Sequence, residues 1–174
     1  MIFFKPKKPP LRSVLFVCTA NQTRSVTAMA LFRRLAEKST EKWIVDSAGA
    51  KASNGAMAHP VISHQLKRMD APVNDHRSKP VSKKLLSRFR WIIVMEQAHK
   101  DAIVKLDKEA GERTFLMREL SSGEELKNYD MPDPTGNEYE NYKELFDIMD
   151  AEIPRLFEKL QIKAYDEEWN ERKD

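Results

Sequence analysis

The chain has 174 residues, 41% of them hydrophobic and 9% aromatic, enough apolar material for one folded domain with a sizeable core. Its net charge of +3 comes from 30 basic and 27 acidic residues of interspersed sign, which describes a solvated surface and argues against a nucleic-acid partner. No apolar run approaches the ~20 residues of a membrane span, and a single cysteine excludes an internal disulfide, so a reducing, cytoplasmic setting without a membrane partner is expected.

Residues 1–11 carry Lys5, Lys7, Lys8 and three prolines and read as a flexible basic leader without the apolar core of a signal peptide. Residues 12–17, wholly apolar from Val14 onward, are expected as a buried first strand. Ser25 is placed to cap a helix reaching about Lys38, with Ala28, Leu31, Phe32 and Leu35 on its inner face. Residues 42–46 read as a second strand closed by Ser47-Ala48-Gly49, and residues 50–57 as a loop. Pro60 suits the first turn of a helix to about Met69; residues 71–80 are irregular, and a short helix is expected over 82–89.

Residues 91–95 are rich in β-branched side chains and predict a strand. Ala98, Ala102, Ile103 and Leu106 then follow helical spacing up to Gly111. Residues 114–117 are a weaker fourth strand, and residues 121–136 a polar loop in which Pro132 and Pro134 flank Asp133. From Asn137 onward, Tyr139, Tyr142, Phe146, Met149, Ile153, Leu156 and Leu160 stripe one long helix, which Pro154 should kink or restart. The charged end from Tyr165 should fray. Residues 12–162 thus form a single domain and 163–174 a charged tail. Strands alternating with helices predict an α/β fold, a four-stranded parallel sheet with helices on both faces and a phosphate-binding loop after the first strand.

The chemistry concentrates between the first strand and the first helix, in Cys18-Thr19-Ala20-Asn21-Gln22-Thr23-Arg24-Ser25. A loop entering a helix N-terminus aims backbone N–H groups into one concavity, where anions bind. A cysteine at its mouth, beside those donors and Arg24, favours the thiolate and becomes a nucleophile under a bound phosphoryl group. The leaving atom needs a proton donor on a loop that can lean over the cradle, and Asp133 and Asp130 are the candidates. His59, His64 and His99 lack metal-ligand spacing with cysteine or carboxylates and read as core or surface residues, so neither a metal nor another cofactor is expected.

With these residues in hand, the chain resembles the low-molecular-weight protein tyrosine phosphatases. Cys18 to Ser25 matches the Cys, five residues, Arg, Ser signature of that family, and Asp133-Pro134 its general-acid loop. Ser47-Ala48-Gly49, His76-Arg77 and Val94-Met95 follow its landmarks in order. The resemblance implies Cys18 as nucleophile, with Thr19, Ala20, Asn21, Gln22, Thr23 and Arg24 around the phosphate and Arg24 as its clamp. Ser25 would assist the sulfur, and Asp133 would act as general acid and base. Asn21 would hold a left-handed loop, braced by Ser47 and His76. It also implies a phosphorylated protein as partner, most simply one carrying phosphotyrosine, with phosphoarginine as the alternative.

Five positions depart from the pattern. Ala20 stands for the usual glycine, Thr23 for a second cysteine, Val26 for a common proline, Gln22 for an apolar residue or threonine, and Thr135 for an aromatic. Two rivals on the same scaffold are a non-catalytic phosphate-binding module and an arsenate reductase. The second needs thiols this chain lacks.

Overall fold

The computed structural model describes residues 8–136 and 139–171. Strands β1 (Ser13–Cys18), β2 (Ile44–Gly49), β3 (Trp91–Val94) and β4 (Thr114–Leu116) form one sheet in the order β2-β1-β3-β4. Every pair is parallel; Phe16 lies opposite Ser47 on one side and Ile93 on the other. Helices α1 (Arg24–Glu37), α2 (Pro60–Arg68), α3 (Lys83–Leu86), α4 (Gln97–Leu106), α5 (Lys108–Gly111), α6 (Met117–Ser121) and α7 (Tyr139–Glu171) fill the connections.

The sheet separates two cores, as the period-two geometry of a strand requires. Val14, Phe16 and Cys18 of β1 and Trp91 and Ile93 of β3 face the core shared with α1, α2 and α7. Leu15, Val17, Ile92 and Val94 face the core shared with α3, α4 and α5. Helices on both faces explain why β1 from Val14 onward and β3 are apolar rather than alternating. Phe32 of α1 anchors the larger core, with Phe16, Trp43 and Phe157 edge-on at 5.6, 5.2 and 5.1 Å between ring centroids.

The neighbours of β1 are β2 on one side and β3 on the other, so the chain switches direction across the sheet at its carboxyl end. Ligands of doubly wound sheets bind at such a point, and Cys18 stands there.

Several element boundaries differ from the sequence reading. β2 lies further along than expected, because the small residues Ser47, Ala48 and Gly49 pair with Phe16, Val17 and Cys18 instead of turning away. α1 begins at Arg24, and Thr23 precedes it without a side-chain cap, so Ser25 is free for another partner. The helix expected up to Gly111 breaks after Leu106, where the Asp107 carboxylate accepts the Ala110 N–H and starts α5. α6 occupies residues read as strand end and loop.

α7 runs 33 residues, about 50 Å at 1.5 Å per residue. It does not restart at Pro154, because that ring faces solvent while Ile153 and Leu156 keep the buried stripe unbroken. Nor does it fray at Tyr165. Ala164 is buried, Glu167 accepts two bonds from Arg90 at 3.0 and 2.7 Å, and Glu168 pairs with Arg12. Of the inward pair expected on this helix, Tyr142 is buried but Tyr139 is 73% exposed. The first seven residues of the leader, the helix start placed at Asn137 and the last three residues of the tail lie outside the described residues.

Candidate active site

The chain leaves β1 at Cys18 and must turn into α1 by Arg24, which forces one residue into the left-handed region. That residue is Asn21, with φ of 57°. Asn tolerates this conformation better than most residues because its short side chain bonds locally. Its side chain is fully tied. Oδ1 accepts the Lys79 backbone N–H at 3.1 Å, which fixes the amide orientation. Nδ2 then donates to Ser25 Oγ at 3.0 Å and Ser47 Oγ at 2.9 Å. His76 Nε2 donates to the Asn21 carbonyl at 2.8 Å, and burial lowers the pKa of that ring so that it stays neutral. The two supporting residues expected from sequence, Ser47 and His76, therefore both contact Asn21.

Gly49 closes the back of the loop. A Cβ there would lie 2.5 Å from the Thr19 carbonyl oxygen and 3.0 Å from the Asn21 nitrogen. Only glycine allows this approach. Ala50 and Lys51 N–H groups then bond the Cys18 and Thr19 carbonyls at 2.8 and 2.9 Å. Ala20 is not among the described residues with positive φ, so alanine there costs no left-handed strain.

Cys18 Sγ lies 3.0 Å from Ser25 Oγ. Ser25 Oγ already accepts from Asn21, so its proton is available to the sulfur. The Arg24 guanidinium is only 2% exposed and is surrounded accordingly. NH1 pairs with Glu96 and donates to the Met131 carbonyl at 2.9 Å. NH2 donates to Asp133 Oδ2 at 2.9 Å and faces Thr19 Oγ1 at 3.5 Å. Gln22 donates its amide to the Met57 carbonyl at 3.1 Å, and Thr23 is buried with its carbonyl bonded to Thr27.

The two candidate acids part here. Asp130 accepts the Gln97 N–H at 2.7 Å, opening α4, whereas Asp133 reaches Arg24. Burial pushes the Asp133 carboxyl up, but hydrogen bonds from Thr135 and the charge of Arg24 outweigh it and leave the pKa below its ordinary value.

The structure also brings in residues the sequence reading passed over. Glu96 follows β3 directly, and a carboxylate at the carboxyl end of a strand beside the nucleophile was a readable signal. His99, three residues on, reads from sequence only as a core or surface histidine, and nothing in the pattern ties it to the loop. The Met131 carbonyl and the Lys79 N–H are backbone groups without side-chain signature.

Fold and cradle together define a cysteine-dependent phosphatase of the α/β class. The chain belongs to the low molecular weight phosphotyrosine protein phosphatase family, whose pattern matches residues 13–166. It is 35% identical to a protein-arginine-phosphatase of Geobacillus stearothermophilus over 85% of this chain and 95% of that one. It is 27% identical to a probable low molecular weight protein-tyrosine-phosphatase of Ralstonia nicotianae over 84% and 97%. Among solved structures it superposes on the YwlE arginine phosphatase of G. stearothermophilus with a TM-score of 0.77 at 32% identity, covering 88% of this chain and 96% of that one. The tyrosine phosphatase Wzb of Escherichia coli, solved with sulphate, gives 0.75 at 26% identity over 86% and 98%. No described helix is long and apolar enough to cross a membrane.

Proposed function

We propose that the protein hydrolyses phosphoryl groups on phosphorylated proteins through a phosphocysteine on Cys18. The observation that carries this is the convergence of the Cys18 sulfur, the Ser25 hydroxyl, the Arg24 guanidinium and the Asp133 carboxylate on one loop held by Asn21. The sulfur attacks phosphorus as the bond to the leaving atom breaks, and Asp133 gives that atom its proton. Water then attacks the phosphocysteine, Asp133 takes up a proton from it, and the sulfur leaves against the Ser25 O–H. Arg24 and the loop N–H groups hold the oxygens on which charge develops.

Asp133 must be protonated to begin, yet its carboxylate rests on Arg24. An incoming phosphoryl group resolves this. It takes the NH2 face of Arg24 and sets negative charge beside Asp133, and both changes raise the proton affinity of the carboxyl.

Within this class phosphoarginine is the first reading. Beside the cradle, Ala20 and Gln22 of the loop, Met57 bonded to Gln22 and Thr135 bonded to Asp133 carry no ring to stack on a phenol. The arginine phosphatases among its relatives support it. The family pattern favours phosphotyrosine as the second reading. The single cysteine suits the cytoplasm, where we place the protein.

The test is phosphate release from p-nitrophenyl phosphate and from phosphoarginine, phosphotyrosine and phosphoserine peptides, assayed side by side. Cys18→Ser abolishes turnover and keeps phosphate binding. Wild-type rates in that variant refute the covalent mechanism.

A further inference from the structure

His99 stands in the first turn of α4, is 4% exposed, and does not touch the cradle's sulfur or guanidinium by any hydrogen bond. Its two ring nitrogens face different partners. The backbone N–H of Glu96 points at Nδ1 at 3.1 Å. A nitrogen that accepts a hydrogen bond carries no proton, so the neutral ring holds its single proton on Nε2. Nε2 lies 2.8 Å from Thr19 Oγ1, and with the proton placed there the ring donates and the hydroxyl accepts.

Thr19 follows Cys18 directly. Its hydroxyl has one proton and two lone pairs. The His99 Nε2–H takes one lone pair, and Arg24 NH2, at 3.5 Å, approaches the oxygen from another side. Neither group accepts. The Thr19 proton is therefore left to donate, beside the same Arg24 nitrogen that holds Asp133 at 2.9 Å. Burial keeps the ring neutral, opposed by Glu96 and aided by Arg24.

We propose that His99 is a positioning residue of the phosphoryl-transfer site, which fixes the rotor of the Thr19 hydroxyl so that its O–H points at the phosphoryl group or at the Asp133 oxygen beside it. This rests on the phosphatase reading above and adds one oriented side-chain donor to the loop amides. His99 itself meets no substrate. Without it, the Thr19 hydroxyl turns to whichever neighbour accepts, and the donor is present for only part of the time.

The experiment is a double-mutant cycle on the full chain with p-nitrophenyl phosphate. His99→Leu lowers kcat about tenfold, the weight of one neutral hydrogen bond at the upper end of its range, and leaves KM within about twofold. Thr19→Val does the same. The double variant is no slower than the slower single one, because both remove one donor. His99→Gln, whose amide places an N–H near Nε2, returns kcat to within about threefold of the parent. Multiplying effects in the double variant, or an unchanged kcat in His99→Leu, overturns the proposal.

A readout independent of turnover is the 15N spectrum of the histidine rings, with His99 assigned by its loss in His99→Gln. A proton on Nε2 is expected, and a proton on Nδ1 overturns the proposal. A parent chain that releases no phosphate from any substrate refutes the phosphatase reading and this role with it. An active parent indifferent to His99→Leu refutes this role alone.

Discussion

Replacing Asn21 by alanine tests whether the loop is held in its shape or merely found in it. Alanine at φ of 57° costs roughly 1–2 kcal/mol in the left-handed region. The substitution also removes the bonds to Ser25, Ser47 and the Lys79 N–H, each with a net weight of about 0.5–1.5 kcal/mol. Ser47 is fully buried and finds no water in exchange. Together these give a loss of about 3–6 kcal/mol. For a chain of this size each kcal/mol moves Tm by about 2–4 °C, so the midpoint falls by roughly 10 °C or more.

Urea unfolding measures the effect as a shifted midpoint at constant slope. Asn21→Gly loses the same bonds without the steric penalty and sits about 1 kcal/mol above Asn21→Ala. Turnover falls about a hundredfold in both, because Ser25 and the loop N–H groups lose their register against the sulfur. Stability of Asn21→Ala within 0.5 kcal/mol of the parent, or a glycine variant less stable than the alanine one, refutes the reasoning.

The close approach at Gly49 predicts that Gly49→Ala displaces the Thr19 carbonyl; p-nitrophenyl phosphate turnover drops by about tenfold or more while far-ultraviolet circular dichroism is unchanged. His76 and His99 both have pKa values lowered by burial from 6.5, so as pH falls below that value the unfolded chain gains protons the folded one refuses. Urea midpoints therefore decrease from pH 7.5 to 5.5, and His99→Gln makes the decrease shallower. Asp133→Asn removes the carboxylate that shares Arg24 NH2 with an incoming anion. Inorganic phosphate should then inhibit residual turnover about two- to fivefold more tightly, matching a pair of about 0.2–1 kcal/mol whose carboxylate is 44% exposed, while kcat falls.

The sheet was legible because β1 and β3 are buried on both faces and leave unmixed apolar runs. The motif was legible because nucleophile and clamp lie on one short loop. β2 was harder, since Ser47, Ala48 and Gly49 are small for reasons of packing under that loop and mimic a turn. Ser25 was misassigned as a cap because a hydroxyl at a helix start serves either end of the same geometry. Here it faces the sulfur. Glu96 reaches Arg24 from 72 residues away and His99 reaches Thr19 from 80; the strand end marked Glu96, but nothing local pairs His99 with a loop that distant.

The partners of Arg24 divide by nitrogen. NH1 holds Glu96 and the Met131 carbonyl, groups drawn from the turn after β3 and from the loop over the cradle. NH2 faces Thr19 and Asp133, the residues at the mouth. A cation this deeply buried would cost several kcal/mol if it lost its partners at once. The division avoids that. A phosphoryl group exchanges only with Asp133, whose side chain is 44% exposed, so the pair it breaks is weak. Glu96 and Met131 stay in place and keep the guanidinium aimed. One half of the side chain therefore ties three segments of the fold together, and the other half remains available to substrate without the fold being loosened each time it binds.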